Sequence, residues 1–367
     1  MLRSMRQLHL ASRGLVAAAL LVASCAPAAT TAPGTAAPTA ATTIAASSPT
    51  AAATPQPAKV KVGVLGTTGD APIYIALERG YFKEQGLDVE FVRFGSALDM
   101  VAPLASKQLD VGSGGIGAAL FNAVSQGIPI KLVAETVRTP VDWTANAWFV
   151  RTDLADKVKT AADLKGLTVA LAATCTVIDT ELSVLLERGG LKRSDITVRT
   201  LPYADHVAAF ANKSIDFTYG FEPFASSFAS TGGARLWLTG GSVIPNHVQS
   251  GILYGPAITE RQETARGWMI AYLKAVRDAY KAYGSLPLTD EMTQIMVKHG
   301  VEKDPAKVKV TRLSPRNLDG TVDVNSVRTD LNFFKQAGCV PNAPDVGQVV
   351  ENSYADYAVS RLGKASP

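Results

Sequence analysis

The sequence predicts an α/β protein whose folded part has two lobes. Three observations favour this class. Short β-rich segments alternate with helical patterns from residue 59 onward, the alternation starts again near residue 148, and the 309 residues from 59 to 367 are more than one hydrophobic core usually serves. A composition of 47% hydrophobic and 19% charged residues is typical of globular proteins. Helices between successive strands indicate a mainly parallel sheet in each lobe.

The N-terminal 24 residues are predicted to be a signal peptide, because a basic start precedes an apolar run too short to span a bilayer. Residues 22–25 read Val-Ala-Ser-Cys, which resembles a bacterial lipobox. In such a motif the thiol of Cys25 would be linked to diacylglycerol, and Cys25 would become the mature N-terminus. An ordinary signal peptide with an incidental cysteine is the alternative.

Residues 25–58 predict a tether, because they are rich in Ala, Thr and Pro and carry no charge. A lipid on Cys25 would then hold the folded domain near a cell membrane, outside the cytoplasm. The formal net charge of +4 depends largely on Arg3, Arg6 and Arg13 in the signal peptide. Without them the charges nearly balance, so no nucleic-acid partner is expected.

The first α/β block has four predicted strands. Residues 59–65 (KVKVGVL) are rich in β-branched residues, and residues 87–94 (LDVEFVRF) alternate apolar with polar residues as a half-buried strand does. Shorter apolar runs predict strands at 109–112 and 128–134. Helical patterns separate the strands at 71–78, 96–107 and 116–126.

The second block repeats this alternation and leads into a helical tail. Predicted strands are at 148–150, 167–172, 197–201, 215–219, 235–238 and 248–254, and predicted helices at 176–188, 206–212, 222–230 and 261–283. The last helix rests on apolar residues at helical spacing, among them Trp268, Tyr272 and Val276. Beyond residue 288 the tail is predicted to be mostly helical, with extended pieces around 307–313.

The segment 66–89 (GTTGDAPIYIALERGYFKEQGLDV) resembles the opening of the periplasmic solute-binding proteins for nitrate, sulfonates, taurine and thiamine precursors. This group is related to the thiamine-pyrimidine synthases. Further similarities follow in the family's order: LDVG at 109–112, GIPI at 127–130, ADLKG at 162–166 and EPF at 222–224. Each is short, and their order over about 250 residues carries the resemblance.

The resemblance implies a two-lobe, type II periplasmic-binding fold with a ligand cleft between the lobes. Lobe one would comprise 59–147 plus 249–367, and lobe two 148–248. Hinges would fall near 148–151 and 244–250. The implied function is the solute-binding component of an ABC importer, a monomer that delivers its solute to a membrane permease. Through the permease, a cytoplasmic ATPase is an indirect partner.

Cleft residues are expected at the carboxyl ends of the strands, where loops and helix N-termini converge. Glycines there would let a ligand approach backbone N–H groups, and a helix start would offer unpaired N–H donors. Turn geometry and helix capping are the alternative roles for these residues. The candidates are Thr67, Thr68, Asp70, Tyr74, Gly114, Gly115, Trp143, Thr174, Cys175, Thr176, Tyr219 and Glu222.

Aromatic residues favour a planar heteroaromatic solute, with Tyr74 and Trp143 as candidate stacking residues. Trp148 is a further aromatic residue near the predicted hinge, and it could either face the solute or belong to the hinge core. Because the candidate cleft loops carry no Lys or Arg and include Asp70 and Glu222, small anions are disfavoured. Within the family this leaves riboflavin or the thiamine pyrimidine, with a sulfonate, taurine or nitrate as the alternative.

An enzyme is the less favoured class. The related synthases carry a Cys-rich cluster where this chain has only Cys175, and no His or Cys pair has metal-ligand spacing. No catalytic residue, metal or cofactor is therefore expected. Cys175 and Cys339 could form a disulfide or remain two free thiols, since their separation in sequence does not decide between these.

Overall fold

The computed structural model describes residues 56–222, 224–281 and 287–365. The predicted signal peptide, the lipobox residue Cys25 and the tether up to residue 55 lie outside these ranges. Among the described residues, no helix is both long and apolar enough to cross a membrane.

The described part of the chain contains ten strands in two five-stranded sheets. The first sheet has the order β2-β1-β3-β10-β4, and the second β7-β6-β8-β5-β9. The strands are β1 (Ala58–Val64), β2 (Leu87–Arg93), β3 (Val111–Gly115), β4 (Lys131–Thr139), β5 (Asn146–Arg151), β6 (Thr168–Leu171), β7 (Thr197–Thr200), β8 (Phe217–Phe221), β9 (Ala234–Thr239) and β10 (His247–Tyr254).

Helices connect and cover these strands. They are α1 (Ala71–Glu78), α2 (Tyr81–Glu84), α3 (Leu98–Ala105), α4 (Ala118–Ser125), α5 (Val177–Arg188), α6 (His206–Ala211), α7 (Phe224–Ser230), α8 (Gly240–Val243), α9 (Pro256–Thr259), α10 (Gln262–Lys281), α11 (Asp290–Lys298), α12 (Pro305–Val310), α13 (Val324–Gln336), α14 (Val346–Val349) and α15 (Ser353–Leu362).

The two sheets share one topology, which confirms the prediction of two α/β lobes. The chain passes from the first sheet to the second before β5 and returns before β10. In its sheet, each of these two strands lies between two neighbours and is antiparallel to both. The other described pairings, of β1 with β2 and β3 and of β6 with β7 and β8, are parallel. Lobe one thus contains β1–β4 and β10, and lobe two β5–β9.

The lobe boundaries differ slightly from the predicted ones. Asn146 and Ala147 pair with Phe221 and Gly220 and so belong to the sheet of lobe two. His247 and Val248 pair with β4 in lobe one. The predicted first hinge at 148–151 lies inside β5, so the crossing segments are residues 140–145 and 240–246.

The crossing segments run close together. A Cβ atom at Gly241 would lie 2.0 Å from the carbonyl oxygen of Pro140, so a residue with a side chain does not fit here without displacing the backbone. The main-chain N–H of Asn246 also donates to the Thr139 carbonyl at 2.9 Å. These contacts hold the two connections side by side.

Two predicted elements differ in the structure. β4 extends to Thr139 instead of ending near residue 134, because the buried Glu135 has partners for its charge. They are the Arg138 guanidinium of the same strand at 2.8 Å and the main-chain N–H of Asn317, which lies 182 positions away in sequence. The predicted extended piece at 307–313 begins within helix α12. Asp304 caps that helix by accepting from the Ala306 amide, and Pro305 occupies its first position.

Cys175 and Cys339 form a disulfide, with their Cα atoms 6.0 Å apart. Cys175 lies between β6 and α5 in lobe two, and Cys339 lies just beyond α13. The end of α13 packs on lobe one, where Phe334 contacts Phe121 of α4. The disulfide therefore links the two lobes outside the crossing segments.

Candidate functional site

The loop after β1 closes around Asp70. One carboxylate oxygen of Asp70 accepts from the amides of Leu65, Gly66 and Thr67 at 2.7–3.1 Å, and the other accepts from the Ser113 hydroxyl at 2.6 Å. Burial raises the pKa of Asp70, although these hydrogen bonds oppose the shift. Both carboxylate oxygens of Asp70 therefore have partners within the protein. Thr67, beside Asp70, is half-buried.

Arg316 reaches this loop from the segment between α12 and α13. Its guanidinium donates to the Gly69 carbonyl at 3.1 Å, and Ser314 lies 3.4 Å from Thr68, measured between their hydroxyl oxygens. Arg316 is only 8% exposed. The cleft loops themselves carry no Lys or Arg, but a residue about 250 positions away in sequence places a cation beside them.

The loops after β3 and β6 contact each other across the lobes. The Ala118 amide donates to the Cys175 carbonyl at 2.9 Å, and the Val177 amide donates to the Ile116 carbonyl at 3.3 Å. Gly117 and Thr176 form an antiparallel bridge between these bonds. The first N–H group of α5 is therefore already paired within the protein and does not remain as a free ligand donor.

The remaining candidates in these loops differ in exposure. Gly114 faces α3, since a Cβ there would lie 2.6 Å from that of Ala97, and packing explains this glycine. Gly115 has more room, with its nearest such contact at 3.8 Å. Thr174 is exposed, whereas Cys175 and Thr176 are half-buried.

A buried cluster of polar side chains connects the lobes beside the crossing segments. It is called here the polar junction and comprises Asn146, Glu181, Tyr219, His247, Gln249 and Asp330. All six are at most 5% exposed.

Gln249 is the centre of the polar junction. Its amide nitrogen donates to Glu181 at 2.6 Å and to the Tyr219 hydroxyl at 2.5 Å, and its oxygen accepts from Asn146 at 2.9 Å. The pKa of Tyr219 is raised by burial and by the charge of Glu181. These bonds connect β5, β8, β10 and α5.

His247 lies between two carboxylates in the same cluster. Its Nδ1 is 3.1 Å from Glu181 of α5, and its Nε2 is 3.0 Å from Asp330 of α13. Burial alone would lower the pKa of His247, but Asp330 and Glu181 outweigh it and raise the pKa to about 10. The charged His247 ring therefore links α5 of lobe two to α13, which packs on lobe one.

Both candidate tryptophans adjoin the polar junction. The half-buried Trp143 donates to Asn146 at 3.2 Å, and the Arg312 guanidinium lies 5.8 Å from its ring centroid. Trp148 is fully buried and donates to Glu181 at 3.3 Å, so it is a core residue. Trp143 alone keeps an accessible surface.

Three half-buried aromatic residues form a second feature, called here the aromatic wall: Tyr203, Phe221 and Phe224. The Tyr203 ring centroid lies 4.6 Å from that of Phe221 and 5.6 Å from that of Phe224. Tyr203 follows β7, whereas Phe221 ends β8, so the wall lies at carboxyl ends of lobe-two strands. Burial and the charge of Glu181 raise the pKa of Tyr203, so its hydroxyl is electrostatically coupled to the polar junction.

Glu222 is adjacent to the aromatic wall. It accepts from the Ser226 hydroxyl at 2.8 Å and from the Ser226 amide at 3.3 Å, and burial raises its pKa. Sequence reasoning identified Glu222 and missed the wall. The available signal was that Tyr203 and Phe221 each follow a predicted strand.

Tyr74 does not join either group. Its ring stacks on His299 with centroids 4.5 Å apart, contacts Phe91 edge-on, and is 1% exposed. Tyr74 is therefore a core residue of lobe one, and it has no open face for a solute. Within the described ranges, no three His, Cys, Asp or Glu side chains are placed to hold a metal ion.

The model of the family described as "NMT1/THI5 like" matches residues 67–282, more than half of the chain. No match was found among curated protein sequences.

Three solved structures share the fold. The periplasmic nitrate-binding protein NrtA from Synechocystis PCC 6803 is 18% identical, with 84% of this chain and 90% of that chain covered and a TM-score of 0.68. The aliphatic sulphonate binding protein SsuA from Escherichia coli is 20% identical (80% and 97% covered, TM-score 0.63). The desulfurization enzyme DSZB is 14% identical (83% and 99% covered, TM-score 0.55). The chain thus has the two-lobe periplasmic-binding fold.

Proposed function

The chain belongs to the NMT1/THI5-like family, and on that premise we propose that it is the extracytoplasmic solute-binding component of an ABC importer. It captures a small solute between its lobes and delivers it, as a monomer, to a permease driven by a cytoplasmic ATPase. It is a binding protein and not an enzyme.

One observation carries this proposal: carboxyl ends of strands from both lobes meet beside the polar junction. Thr67 and Gly117 of lobe one follow β1 and β3, Thr176 and Tyr203 of lobe two follow β6 and β7, and Gly117 and Thr176 form the bridge between the lobes. A ligand held there touches both lobes, so it stabilises their approach by its differential affinity for the closed arrangement. A cleft of this kind suits capture and release.

The favoured solute is a planar heteroaromatic molecule, such as riboflavin or the thiamine pyrimidine. The aromatic wall supports this, because rings that are half-buried and already mutually packed offer a preorganised stacking surface. Trp143 and Glu222 add a further ring and a hydrogen-bond acceptor at the edge. The stacking role proposed from sequence for Tyr74 passes to Tyr203 and Phe221.

An anionic solute is the second candidate, and Arg316 favours it. Its buried guanidinium beside Thr68 and Gly69 adds positive potential to the lobe-one loop, although the Gly69 and Ser314 carbonyls already accept from it. NrtA and SsuA, which share the fold, are named for nitrate and sulphonate. Against an anion stands Glu222 at the aromatic wall.

The state of Cys175 argues against the enzymatic alternative. Cys175 stands where the related synthases are expected to carry a cysteine cluster, and it is joined to Cys339. No thiolate is therefore available at this position in the oxidised protein.

Titration calorimetry with riboflavin, the thiamine pyrimidine, taurine and nitrate tests the function. We expect tight binding of one heteroaromatic solute and a smaller radius of gyration in its presence. Binding of taurine or nitrate alone would replace the heteroaromatic assignment with the anionic one. No binding by any solute, together with unchanged small-angle scattering, would refute the cleft.

Anchoring is tested separately, because Cys25 lies outside the described residues. If Cys25 carries lipid, the native protein partitions into detergent, whereas Cys25→Ser leaves it in the aqueous phase or uncleaved. Ser24→Ala is the matched control, since it keeps the small residue and the thiol. Recovery of the native protein wholly from the soluble fraction would refute anchoring.

A further inference from the structure

We propose that the Cys175–Cys339 disulfide is a redox-sensitive staple, which holds the candidate solute loop of lobe two against lobe one and restricts how far the cleft opens. This rests on the proposed function only where solute exchange is measured. The linkage itself is a property of the fold.

The two cysteines are attached to different lobes. Cys175 precedes α5, whose Glu181 enters the polar junction. The Cys339 carbonyl accepts from Asn122 of α4 at 2.9 Å, so this end of the disulfide is fixed to lobe one.

The segment beyond Cys339 strengthens the lobe-one attachment. Lys131 of β4 donates to the Gln348 carbonyl at 2.6 Å, and the Glu351 amide donates to the Leu132 carbonyl at 3.0 Å. Val350 also forms a parallel bridge with Leu132. Movement of Cys339 away from lobe one would break this series of contacts.

The loop at Cys175 depends on the bond for its position. Cys175 has φ +59°, a left-handed conformation that is uncommon for a residue with a side chain. Its carbonyl accepts from Ala118 of lobe one, and its amide donates to Asp179 at 2.9 Å. With the disulfide intact, the inter-lobe bonds of Ala118 and Val177 can break only briefly before the loop returns.

The bond is open to chemistry, since both cysteines are only partly buried. A dithiol reductant attacks one sulfur to form a mixed disulfide, and its second thiol then displaces the other cysteine. In the net reaction the Sγ–Sγ bond receives two electrons and two protons to give two protein thiols, while the reductant becomes a disulfide. An oxidising compartment therefore keeps the staple closed.

Hydrogen exchange of the purified wild type, with and without dithiothreitol, tests the staple without any solute. We expect reduction to accelerate exchange of the Ala118 and Val177 amides about tenfold or more, because local opening becomes more frequent. Amides of β1 in the core of lobe one should not change. The double variant Cys175→Ser/Cys339→Ser, in the same reductant, should not respond to it.

Two outcomes would overturn the proposal. Equal exchange at Ala118 and Val177 before and after reduction means that the disulfide does not restrain the lobes. Acceleration of the β1 amides to the same degree means that it supports the whole fold and not the inter-lobe contact. Should the double variant fail to fold, reduction of the wild type still decides between these results.

A solute from the calorimetric panel then links the staple to function. Its dissociation rate should rise about tenfold on reduction of the wild type, and an unchanged rate would exclude control of solute exchange. If no solute binds, the proposed function fails while the hydrogen-exchange result for the staple stands.

Discussion

The polar junction between the lobes and the aromatic wall of lobe two use their side chains in opposite ways. Gln249, Glu181 and His247 of the junction have each polar group directed at a protein partner, and all are buried. The rings of the wall remain half-exposed. Groups that satisfy one another fix how the lobes meet, whereas surfaces left open are available to a ligand.

The largest expected effect is on stability, from a substitution in the polar junction. His247→Leu removes the cation between Glu181 and Asp330 and should lower the free energy of unfolding by about 3–5 kcal/mol, because two buried carboxylates lose their partner. Urea denaturation measures the loss. Lys309→Leu, which disrupts an exposed pair with Asp290, should cost under about 1 kcal/mol, and equal losses would contradict the comparison.

The pH dependence of stability sharpens the same point. His247 has a pKa of about 10 in the folded protein, above the 6.5 of an unperturbed histidine, so its contribution is complete below pH 6.5 and is lost as pH rises toward 10. The difference in unfolding free energy between wild type and His247→Leu should therefore shrink across this window. A difference that stays constant from pH 6.5 to 10 would show that His247 is not charged.

A substitution in the aromatic wall should change the affinity for the solute more than the stability of the protein. Phe221→Ala removes a stacking ring and buried area, and we expect it to weaken solute binding roughly ten- to a hundredfold, at about 1.4 kcal/mol per decade. The melting temperature should fall by only a few degrees. Phe91→Ala, a half-buried phenylalanine on the edge strand β2, is the matched control and should leave affinity unchanged. A loss of stability in Phe221→Ala without a loss of affinity would assign the wall to the core.

The smallest effect concerns Glu222 and depends on the charge of the solute. Glu222→Gln should weaken binding of a neutral heterocycle about two- to fivefold by removing a strong acceptor, and should improve binding of an anion by lifting a repulsion. Calorimetry with one neutral and one anionic solute measures both changes in affinity. A loss of affinity for both solutes would place Glu222 in a structural role through Ser226.

The fold followed from local patterns where burial and periodicity agree. β2 is predicted at 87–94 and observed at Leu87–Arg93, and α10 is predicted at 261–283 and observed over Gln262–Lys281. β4 departed from its prediction because Glu135 is polar and yet buried. Its partner Asn317 is 182 positions away, and a window of neighbouring residues does not contain that information.

The candidate site was less predictable for the same reason. Thr67 and Thr68 follow β1, as the alternation of strands and helices implies, whereas Tyr219 lies inside β8 and not at its end. Arg316 and Asp330 come from the C-terminal tail, where no strand end marks them, and only the tertiary fold brings them to the lobes. Tyr74 has the residue type of a stacking side chain, but its ring is already stacked against His299 and is not available to a solute.

The absence of a side chain at Gly241 has a mechanical consequence. Because its backbone lies directly against the Pro140 carbonyl, and the main-chain N–H of Asn246 donates to the Thr139 carbonyl, the two connections behave as one unit. Neither connection can bend or slide alone without breaking these contacts, so bending of both together is the least costly deformation. The lobes therefore have a preferred axis of motion, and the packing of two backbones defines it.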